Sequence, residues 1–402
     1  MSEYLDIIPR CDCTACGACS AICPRNCIEM KEDCLGFTLP DVDSQCCIHC
    51  GLCKKVCPVL NFNPDIDGGM YATAVYAAKN RESDVAIKSS SGGVFSLLAE
   101  EILGKGGVVY GVAMSPELNA VHMRVESKED ISKIRGSKYL QSNAAAIYPS
   151  VKSDLRNGRH VLFSGVPCQI AGLRQYLRND YERLLCVEVV CHGVPSNLAF
   201  RRYIDELETK NRAKIVSVNF RDKTKGWQNY YITYVFDNGR RLRKRRTEDL
   251  YLTGYINNLF VRDNCTDCRF KGPYSKADII LGDMWGIESM QPTYDVADGV
   301  SMICINSATG NDVFKRIESR LAALIEVNYA EVEKYNPCIS HSVTANDRRI
   351  WVMERLSDGE FSKPVKEALG ISFYSIWQAR YMNMKIKLLA SIIALKHFIR
   401  KS

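Results

Sequence analysis

A cysteine motif that occurs twice within the first 58 residues constrains the fold of this chain more than any other feature. The segments CTACGACSAICP (13–24) and CIHCGLCKKVCP (47–58) share the spacing C-x2-C-x2-C-x3-C-P. Of the 19 cysteines in the chain, twelve precede residue 58. A segment so rich in thiols is organised either by disulfides or by metal.

The expected compartment decides between disulfides and metal. The N-terminal stretch MSEYLDIIPR lacks the basic start and apolar core of a secretory signal. No apolar run reaches the roughly 18 residues that a membrane span requires. We therefore expect a cytoplasmic protein whose clustered cysteines bind metal, because disulfides are rare in that compartment.

The spacing of the repeat predicts two 4Fe-4S clusters. Three cysteines at i, i+3 and i+6 on a tight loop can reach three corners of one cubane, and the fourth, followed by proline, reaches the other cubane. Zinc is the alternative, but this spacing is awkward for one tetrahedral ion. The predicted ligands are Cys13, Cys16, Cys19 and Cys57 for one cluster and Cys47, Cys50, Cys53 and Cys23 for the other.

The other cysteines of this region fall outside the pattern. We expect Cys11, Cys27, Cys34 and Cys46 to pack as small buried side chains. Cys46 adjoins Cys47, and the register of the motif favours Cys47 as the ligand.

Beyond a linker rich in proline, glycine and aspartate (61–69), strand and helix patterns alternate. The runs HVLFSG (160–165) and LLCVEVV (184–190) predict buried strands, with the helix QIAGLRQYL (169–177) between them. The stretch YYITYVFDNGRRLRK (230–244) predicts a hairpin that turns at Asn238 and Gly239. The alternation predicts an α/β fold with a mixed sheet, preceded by a small dicluster ferredoxin-type domain.

Two glycine- and serine-rich loops are candidate cofactor sites. KSSSGGVFS (88–96) precedes a predicted helix, where backbone N–H groups and the helix dipole can hold a phosphate. RGSKYLQS (135–142) offers a cation and hydroxyls that could bind a pyrophosphate or stabilise a reduced ring. A plain turn and a solvated loop, respectively, are the alternatives.

A second set of cysteines lies in the body of the chain. Cys168 and Cys191 each follow a predicted buried strand, and Cys265 and Cys268 form a CxxC. These four thiols could converge on one metal centre at one edge of a sheet, with zinc or separate buried thiols as the alternatives. Cys186, Cys304 and Cys338 are expected in the core. His192 could donate a proton, although hydrogen bonding that orients its loop is the favoured role.

Two basic segments suggest surfaces rather than sites. The formal charge is +7, and RRLRKRR (240–246) holds six bases in seven residues. This run is either a solvated face or a docking site for a phosphorylated substrate or an acidic electron donor, and without interleaved aromatic residues it predicts no nucleic-acid partner. The C-terminal MKIKLLASIIALKHFIRKS (384–402) predicts an amphipathic helix that docks on the protein's own core, on a partner or peripherally on an anionic membrane.

The ordered motifs SSSGGVFS, GSKYLQS, GVPCQIAGL, CHGVPS, CTDC and ADIILGDMWG resemble the family of coenzyme F420 hydrogenase and dehydrogenase beta subunits. The resemblance covers roughly residues 70–350, with the ferredoxin-type module fused in front. It implies a third 4Fe-4S cluster on Cys168, Cys191, Cys265 and Cys268. It also implies FAD bound by the two loops, with the candidate residues Ser91, Gly92, Gly93, Val94, Ser137, Lys138, Tyr139 and Gln141.

The resemblance divides the chain into a ferredoxin-type domain (1–64), two parts of a flavin-binding domain (70–155 and 156–350) and a helical basic tail (351–402). It implies an oxidoreductase that passes electrons between the clusters and FAD to reduce or oxidise an organic substrate, with Lys138 and His192 as the candidate catalytic residues. Ferredoxin or another oxidoreductase subunit is the expected redox partner. Fused forms of this kind suggest a sugar derivative and surface polysaccharide synthesis. The alternatives are an F420-dependent beta subunit and a non-catalytic electron-transfer adaptor.

Overall fold

The computed structural model describes residues 8–67 and 72–371. Its strands are β1 (Ile28–Glu32), β2 (Thr38–Val42), β3 (Ala74–Asn80), β4 (Val108–Met114), β5 (Ala120–Val125), β6 (Val161–Gly165), β7 (Leu184–Val189), β8 (Ile215–Asp222), β9 (Tyr231–Phe236), β10 (Arg241–Arg245), β11 (Ile279–Asp283), β12 (Ser301–Ile305) and β13 (Leu321–Glu326). The mixture of strands with interspersed helices confirms the expected α/β class.

The helices follow the same chain order. They are α1 (Ala18–Ile22), α2 (Leu52–Lys55), α3 (Pro64–Asp67), α4 (Ser83–Lys88), α5 (Val94–Gly104), α6 (Ile131–Ile134), α7 (Tyr148–Arg156), α8 (Pro167–Leu177), α9 (Asn197–Asn211), α10 (Leu250–Ile256), α11 (Ile287–Met290), α12 (Ala308–Ile317), α13 (Tyr329–Tyr335), α14 (Arg349–Ser357) and α15 (Ser362–Ala368). Across residues 8–67 and 72–371, none is long and apolar enough to cross a bilayer. The predicted C-terminal amphipathic helix (384–402) lies outside the described residues.

A large mixed sheet forms the centre of the body, with strand order β13-β3-β12-β11-β7-β6-β4-β5. Strands β4, β6, β7 and β11 run parallel, and the strands on either side of them are antiparallel. Parallel strands end at the same edge of a sheet, and that edge of an α/β fold is where ligands usually bind. The segments that follow β6, β7 and β11 therefore meet at one place.

Helices cover both faces of this sheet because alternate side chains of each strand point to opposite sides. On β6, Val161 and Phe163 pack with the apolar residues of α7 and α8. Leu162 of the same strand packs on the other face with residues of α5 and α12. Each of these three side chains is fully buried, so the strand reads as a continuous apolar run.

A smaller antiparallel sheet, β10-β9-β8, lies beside the body. The predicted hairpin at Asn238 and Gly239 is confirmed: β9 and β10 pair in antiparallel register, and Gly239 adopts a positive φ of 79°. Apolar residues of α9, α10, α14 and α15 pack against this sheet in a second core. The first part of the predicted tail, up to residue 371, thus packs on the body, while the domain boundaries stay a prediction.

The cysteine-rich N-terminal region consists of the β1–β2 hairpin and the short helices α1 and α2, and it packs directly on the body. Gly172 of α8 lies so close to it that a Cβ there would fall 2.8 Å from Cβ and 2.9 Å from Sγ of Cys16. The Tyr148 hydroxyl lies 2.8 Å from the carbonyl oxygens of both Cys16 and Gln169, either of which can accept its hydrogen bond. The N-terminal region is therefore held against the helix that begins beside Cys168.

Candidate functional site: three thiol sets and a central cavity

The first thiol set lines a small cavity of about 20 Å³. Gly17 adopts a left-handed φ of 84° and turns the chain into α1, so that the three cysteines of the first motif face inward. The fourth thiol comes from the end of the second motif. The set consists of Cys13, Cys16, Cys19 and Cys57, each only 7–8% exposed. Burial raises the pKa of Cys16 to about 12, so a stable thiolate there needs a positive partner.

The second thiol set lines a more open cavity of about 120 Å³. It consists of Cys47, Cys50 and Cys53 from the second motif and Cys23 from the first. The two motifs therefore exchange their fourth cysteines in space, as the crossed arrangement requires. Gly51 takes the same left-handed position before α2, with φ 70°, that Gly17 takes before α1.

The remaining N-terminal cysteines separate into two classes. Cys27 is buried, as expected, and its sulfur lies 3.3 Å from that of Cys23, inside the second cavity. Cys11, Cys34 and Cys46 are exposed, so the expectation of buried packing is wrong for these three. Cys46 carries a hydrogen bond to Asp43 instead of lining the cavity. Its neighbour Cys47 faces the cavity, in agreement with the register of the motif.

The third thiol set lies at the edge where β6 and β7 end. Cys168 is the second residue of α8, which begins two residues after β6, and Cys191 follows β7. Cys265 lies in a short 3-10 turn, where its sulfur accepts the backbone N–H of Val194 at 3.3 Å. Burial raises the pKa of Cys168 well above its ordinary value, and the nearby thiols of Cys268, Cys191 and Cys265 raise it further. The four cysteines thus lie in one neighbourhood of the fold, near enough to influence one another's pKa.

The geometry of the three sets bears on the zinc alternative. Four thiolates at the Zn–S distance of about 2.3 Å lie about 4 Å from one another. Within the described ranges 8–67 and 72–371, no three Cys, His, Asp or Glu side chains form a group able to hold a single metal ion. The first two sets each line a cavity. Thiols arranged around a cavity fit an inorganic group of several atoms better than a single ion.

The three sets follow one another through the molecule. Two short helices connect the first set with the second. Along the chain, α1 lies between Cys16 of the first set and Cys23 of the second, and α2 lies between Cys50 of the second set and Cys57 of the first. The first and third sets lie on segments that are packed together, because the Tyr148 hydroxyl is 2.8 Å from the carbonyl oxygens of both Cys16 and Gln169, the residue after Cys168. The third set reaches a larger cavity, because Cys191 also lines its wall.

That central cavity has a volume of about 440 Å³ and lies between the carboxyl edge of the large sheet and the small sheet. The predicted cofactor residues on its wall are Ser91, Gly93, Val94, Ser137, Lys138, Tyr139 and Gln141, together with His192. Gly92 lies directly behind the wall. Its N–H donates to Ser301 Oγ at 2.9 Å, and a Cβ there would come within 2.7 Å of the Ala78 carbonyl oxygen.

The two candidate catalytic side chains are both partly fixed by the protein. Lys138 Nζ donates to the Arg135 carbonyl oxygen at 2.9 Å, and burial lowers its pKa to about 7. His192 Nε2 donates to Asn258 Oδ1 at 2.7 Å, which leaves Nδ1 as an acceptor 3.6 Å from Cys338 Sγ. Burial also lowers the pKa of His192. Cys338, expected in the core, therefore lies at the cavity wall.

Sequence reasoning missed the residue that ties the cavity walls together. Arg221, from the end of β8, donates to both carboxylate oxygens of Asp283 at 2.8 and 2.9 Å. It also donates to the Ser90 carbonyl oxygen at 3.0 Å and to the Tyr139 hydroxyl at 3.3 Å. Its guanidinium lies 4.2 Å from the ring centroid of Tyr230. Both predicted cofactor loops are therefore joined to the small sheet through one side chain.

A second missed cation holds the first loop in place. Lys223 Nζ donates to the carbonyl oxygens of Ala86, Ser91 and Asp298 at 2.6–2.7 Å. The stretch RDKTKGWQNYYITY contains both Arg221 and Lys223, but its local pattern is that of a polar strand and turn. Nothing in the spacing indicates that these two cations are buried.

Comparison with known proteins identifies family models that match the segments containing the third thiol set and the candidate cofactor loops. Two family models match, the N-terminal part of the coenzyme F420 hydrogenase/dehydrogenase beta subunit on residues 75–147 and its C-terminal part on residues 158–330. One component of the F(420)H(2) dehydrogenase of Methanosarcina mazei is 26% identical over 245 residues, which are 56% of this chain and 66% of the relative. The coenzyme F420-dependent sulfite reductase of Methanocaldococcus jannaschii is 27% identical over 198 residues, 48% of this chain and 29% of the relative.

The chain thus spans less than two thirds of the length of these curated relatives. Among solved structures, a chain of the F420-reducing NiFe hydrogenase complex from Methanosarcina barkeri aligns with a TM-score of 0.45 at 16% identity, covering 77% of this chain and 94% of that one. The two family models together match more than half of the chain, and they enclose both cofactor loops and the third thiol set. The protein belongs to the family of coenzyme F420 hydrogenase/dehydrogenase beta subunits.

Proposed function

We propose that the protein is an iron-sulfur flavoprotein oxidoreductase that passes electrons between three 4Fe-4S clusters and FAD to reduce or oxidise a small organic substrate. One observation carries the proposal: Cys191 of the third thiol set lines the same cavity as the two glycine- and serine-rich loops. A one-electron carrier on that set would be in contact with a two-electron carrier in the cavity. The cavity also weighs against a non-catalytic adaptor.

The bound groups supply the chemistry. Bound clusters would supply single-electron exchange, and a bound flavin would supply the pairing of two electrons into a hydride equivalent. The protein holds and orients these groups. The N-terminus of α5 directs backbone N–H groups at the cavity beside Gly93, where they suit the pyrophosphate of FAD. Lys138 offers an amine inside the cavity that a reduced, anionic ring would favour in its protonated form, and His192 is held by Asn258 as an orienting residue.

Removal of water is a further contribution of the chain. Arg221 and Lys223 donate hydrogen bonds to backbone carbonyl and carboxylate oxygens, and these bonds hold the loops against the small sheet. Walls held in this way keep water out of part of the cavity, and a charge acts more strongly on a bound group where the local dielectric is low.

The substrate has two candidate classes. The fused ferredoxin-type region favours a sugar derivative in surface polysaccharide synthesis. The second candidate is coenzyme F420 itself, which appears in the names of two relatives and of the family. Mixing the flavin-loaded protein with reduced F420 under argon separates the two, because bleaching of the flavin absorbance occurs only if F420 is a donor.

The proposed cofactors are tested by anaerobic purification of the full chain. We expect about twelve irons per chain, four for each cubane, and a flavin absorbance that dithionite bleaches. Stoichiometric zinc with no flavin would refute the proposal. Iron near eight with flavin present would instead show that one of the three thiol sets holds no cluster.

A further inference from the structure

Of the three thiol sets, the second is the one that reaches the surface. Cys50 is exposed, whereas all four cysteines of the first set are buried and those of the third set are buried or half-buried. Electron tunnelling weakens steeply with distance, so a partner protein has to approach the most exposed set. The cavity around that set is bordered by Arg25, Ile48 and Lys54. Together with Lys55 and Cys50, these residues are named here the exposed thiol face.

The exposed thiol face has an apolar centre. Ile48 follows Cys47 directly and is 58% exposed, the second-highest value among the large apolar side chains of the described residues that are exposed. A single exposed apolar side chain is ordinary on a protein surface. Here it stands beside the rim of a redox site, where a partner could cover it. The face is small, which suits a transient encounter more than a permanent interface between subunits.

The charge of the face is positive although the N-terminal region as a whole is not. Arg25, Lys54 and Lys55 are exposed, and within residues 8–67 and 72–371 none of them forms an ion pair with a carboxylate. Asp43 is the carboxylate beside the face, and it accepts the N–H of Gln45 and the hydrogen bond of Cys46. Among the described residues, no carboxylate lines the cavity.

Four described acids of the region form ion pairs away from the face, Asp33 with Arg10 among them. Lys31 lies 2.7 Å from Asp41 and 3.3 Å from Glu29 on the β1–β2 hairpin. Glu32 pairs with Arg201 of the body. These pairs neutralise negative charge of the region away from the face, and the cations of the face remain around the second set.

We propose that the exposed thiol face is the docking surface for a small acidic electron-carrier protein of the ferredoxin or flavodoxin class. The inference rests on the proposed function, since it requires a cluster on the second thiol set. In each encounter one electron leaves the reduced carrier, which is oxidised by one unit, and reduces the cluster on that set; no proton or group is transferred. Opposite charges steer the encounter, and Ile48 is covered in the complex.

The test compares two charge-reversal variants of the full, cofactor-loaded chain. The first is Arg25→Glu/Lys54→Glu/Lys55→Glu. The matched control carries the same change of charge on the other basic surface of the protein, Arg212→Glu/Arg241→Glu/Arg245→Glu. The control positions Arg241 and Arg245 are exposed, and Arg212 lies at the end of α9.

The probe is a purified acidic dicluster ferredoxin, and two quantities are measured. Stopped-flow mixing gives the second-order rate constant for reduction of the flavin and the clusters by the ferredoxin. Dividing it by the rate with dithionite, on the same sample at equal iron content, gives a rate ratio. Biolayer interferometry gives the dissociation constant of the complex without any turnover. We expect the first variant to lower the rate ratio by at least about 10-fold at low salt and to weaken binding, with the difference shrinking at high salt. The control should change neither by more than about twofold.

Other outcomes overturn the inference. If the first variant matches the unmodified protein, or if the control lowers the rate as much, the docking surface is elsewhere; the second result would place it on the 240–246 hairpin. A neutral variant, Lys54→Gln/Lys55→Gln, should fall between the unmodified protein and the first variant, which guards against misfolding of the triple change. Loss of iron or flavin from the unmodified protein would instead refute the proposed function, so the two failures are distinguishable.

Discussion

Replacing Arg221 by methionine removes a buried charge that holds four parts of the cavity together. The Arg221 side chain is 4% exposed and its partner carboxylate Asp283 is 17% exposed. Breaking a buried ion pair by removing one partner costs about 3–5 kcal/mol, because the other charge stays buried and uncompensated. Asp283 keeps one donor, since Trp227 Nε1 donates to it at 2.8 Å. We therefore expect Arg221→Met to lower the free energy of unfolding by about 3 kcal/mol, near the lower bound.

Two further variants separate charge from geometry. Arg221→Lys keeps the charge but loses the planar fork that bonds both oxygens of Asp283, so we expect an intermediate loss of about 1–2 kcal/mol. In Arg221→Met/Asp283→Asn no charge is left unpaired, and the loss should be smaller than in Arg221→Met alone. Each variant is unfolded by urea under argon with tryptophan fluorescence as the signal, because Trp227 and Trp285 stack at this site with ring centroids 4.5 Å apart.

A readout of the cavity itself accompanies the stability measurement. Arg221 holds the Ser90 carbonyl and the Tyr139 hydroxyl, one from each cofactor loop. Loosening both loops should weaken FAD binding by about 10-fold or more, the equivalent of about 1.4 kcal/mol, as measured by fluorescence titration. A loss of stability below about 1 kcal/mol in Arg221→Met, or a double variant as unstable as the single one, would refute the reasoning.

Three further predictions follow from single positions. Gly172→Ala places a Cβ against the first thiol set and should lower the free energy of unfolding by about 1–3 kcal/mol. Gly104→Ala, at a helical position with open space around it, should raise that free energy by about 1 kcal/mol. Equal urea midpoints for the two variants would contradict this prediction. Cys191→Ser should lower the iron content from about twelve to about eight per chain, and Cys186→Ser, in the core, should leave it unchanged; an iron assay decides. Burial lowers the pKa of Lys138 to about 7 in the folded, FAD-free protein. Between that pH and the ordinary pKa of lysine, the unfolded chain therefore binds one more proton at this residue than the folded chain does. The free energy of unfolding should rise with pH over this range because of Lys138. Lys138→Met should lack that rise in urea titrations over this range, and parallel pH profiles would show that the amine titrates normally.

Much of the candidate site was accessible from local patterns. The repeated cysteine motif specifies which thiols can meet, because each spacing of three residues acts within one turn of chain and needs no long-range contact. Gly17 and Gly51 show the same logic, since each provides a left-handed turn at the same place in its motif. Strand-end positions predicted Cys168 and Cys191 for a similar reason, because parallel strands end at one edge.

Other features required contacts between distant parts of the chain. The local pattern around Arg221 is polar, and its burial results from the packing of the small sheet on the cofactor loops, 131 positions away at Ser90. The exposure of Cys11, Cys34 and Cys46 likewise depends on which surfaces the body covers. Composition cannot predict either outcome, since the same side chain is solvated or buried according to its neighbours in space.

By itself the sequence determined the grouping of the thiols in the two N-terminal motifs and the α/β class, because these follow from spacing and periodicity over a few residues, whereas the third thiol set and the two candidate cofactor loops came from a resemblance of ordered motifs. Only the tertiary structure decided that the three thiol sets and the cavity adjoin, that two buried cations close the cavity, and that one thiol set faces solvent with a positive rim. The physical reason is that burial and electrostatic environment are properties of three-dimensional neighbours, and segments far apart along the chain supply those neighbours here.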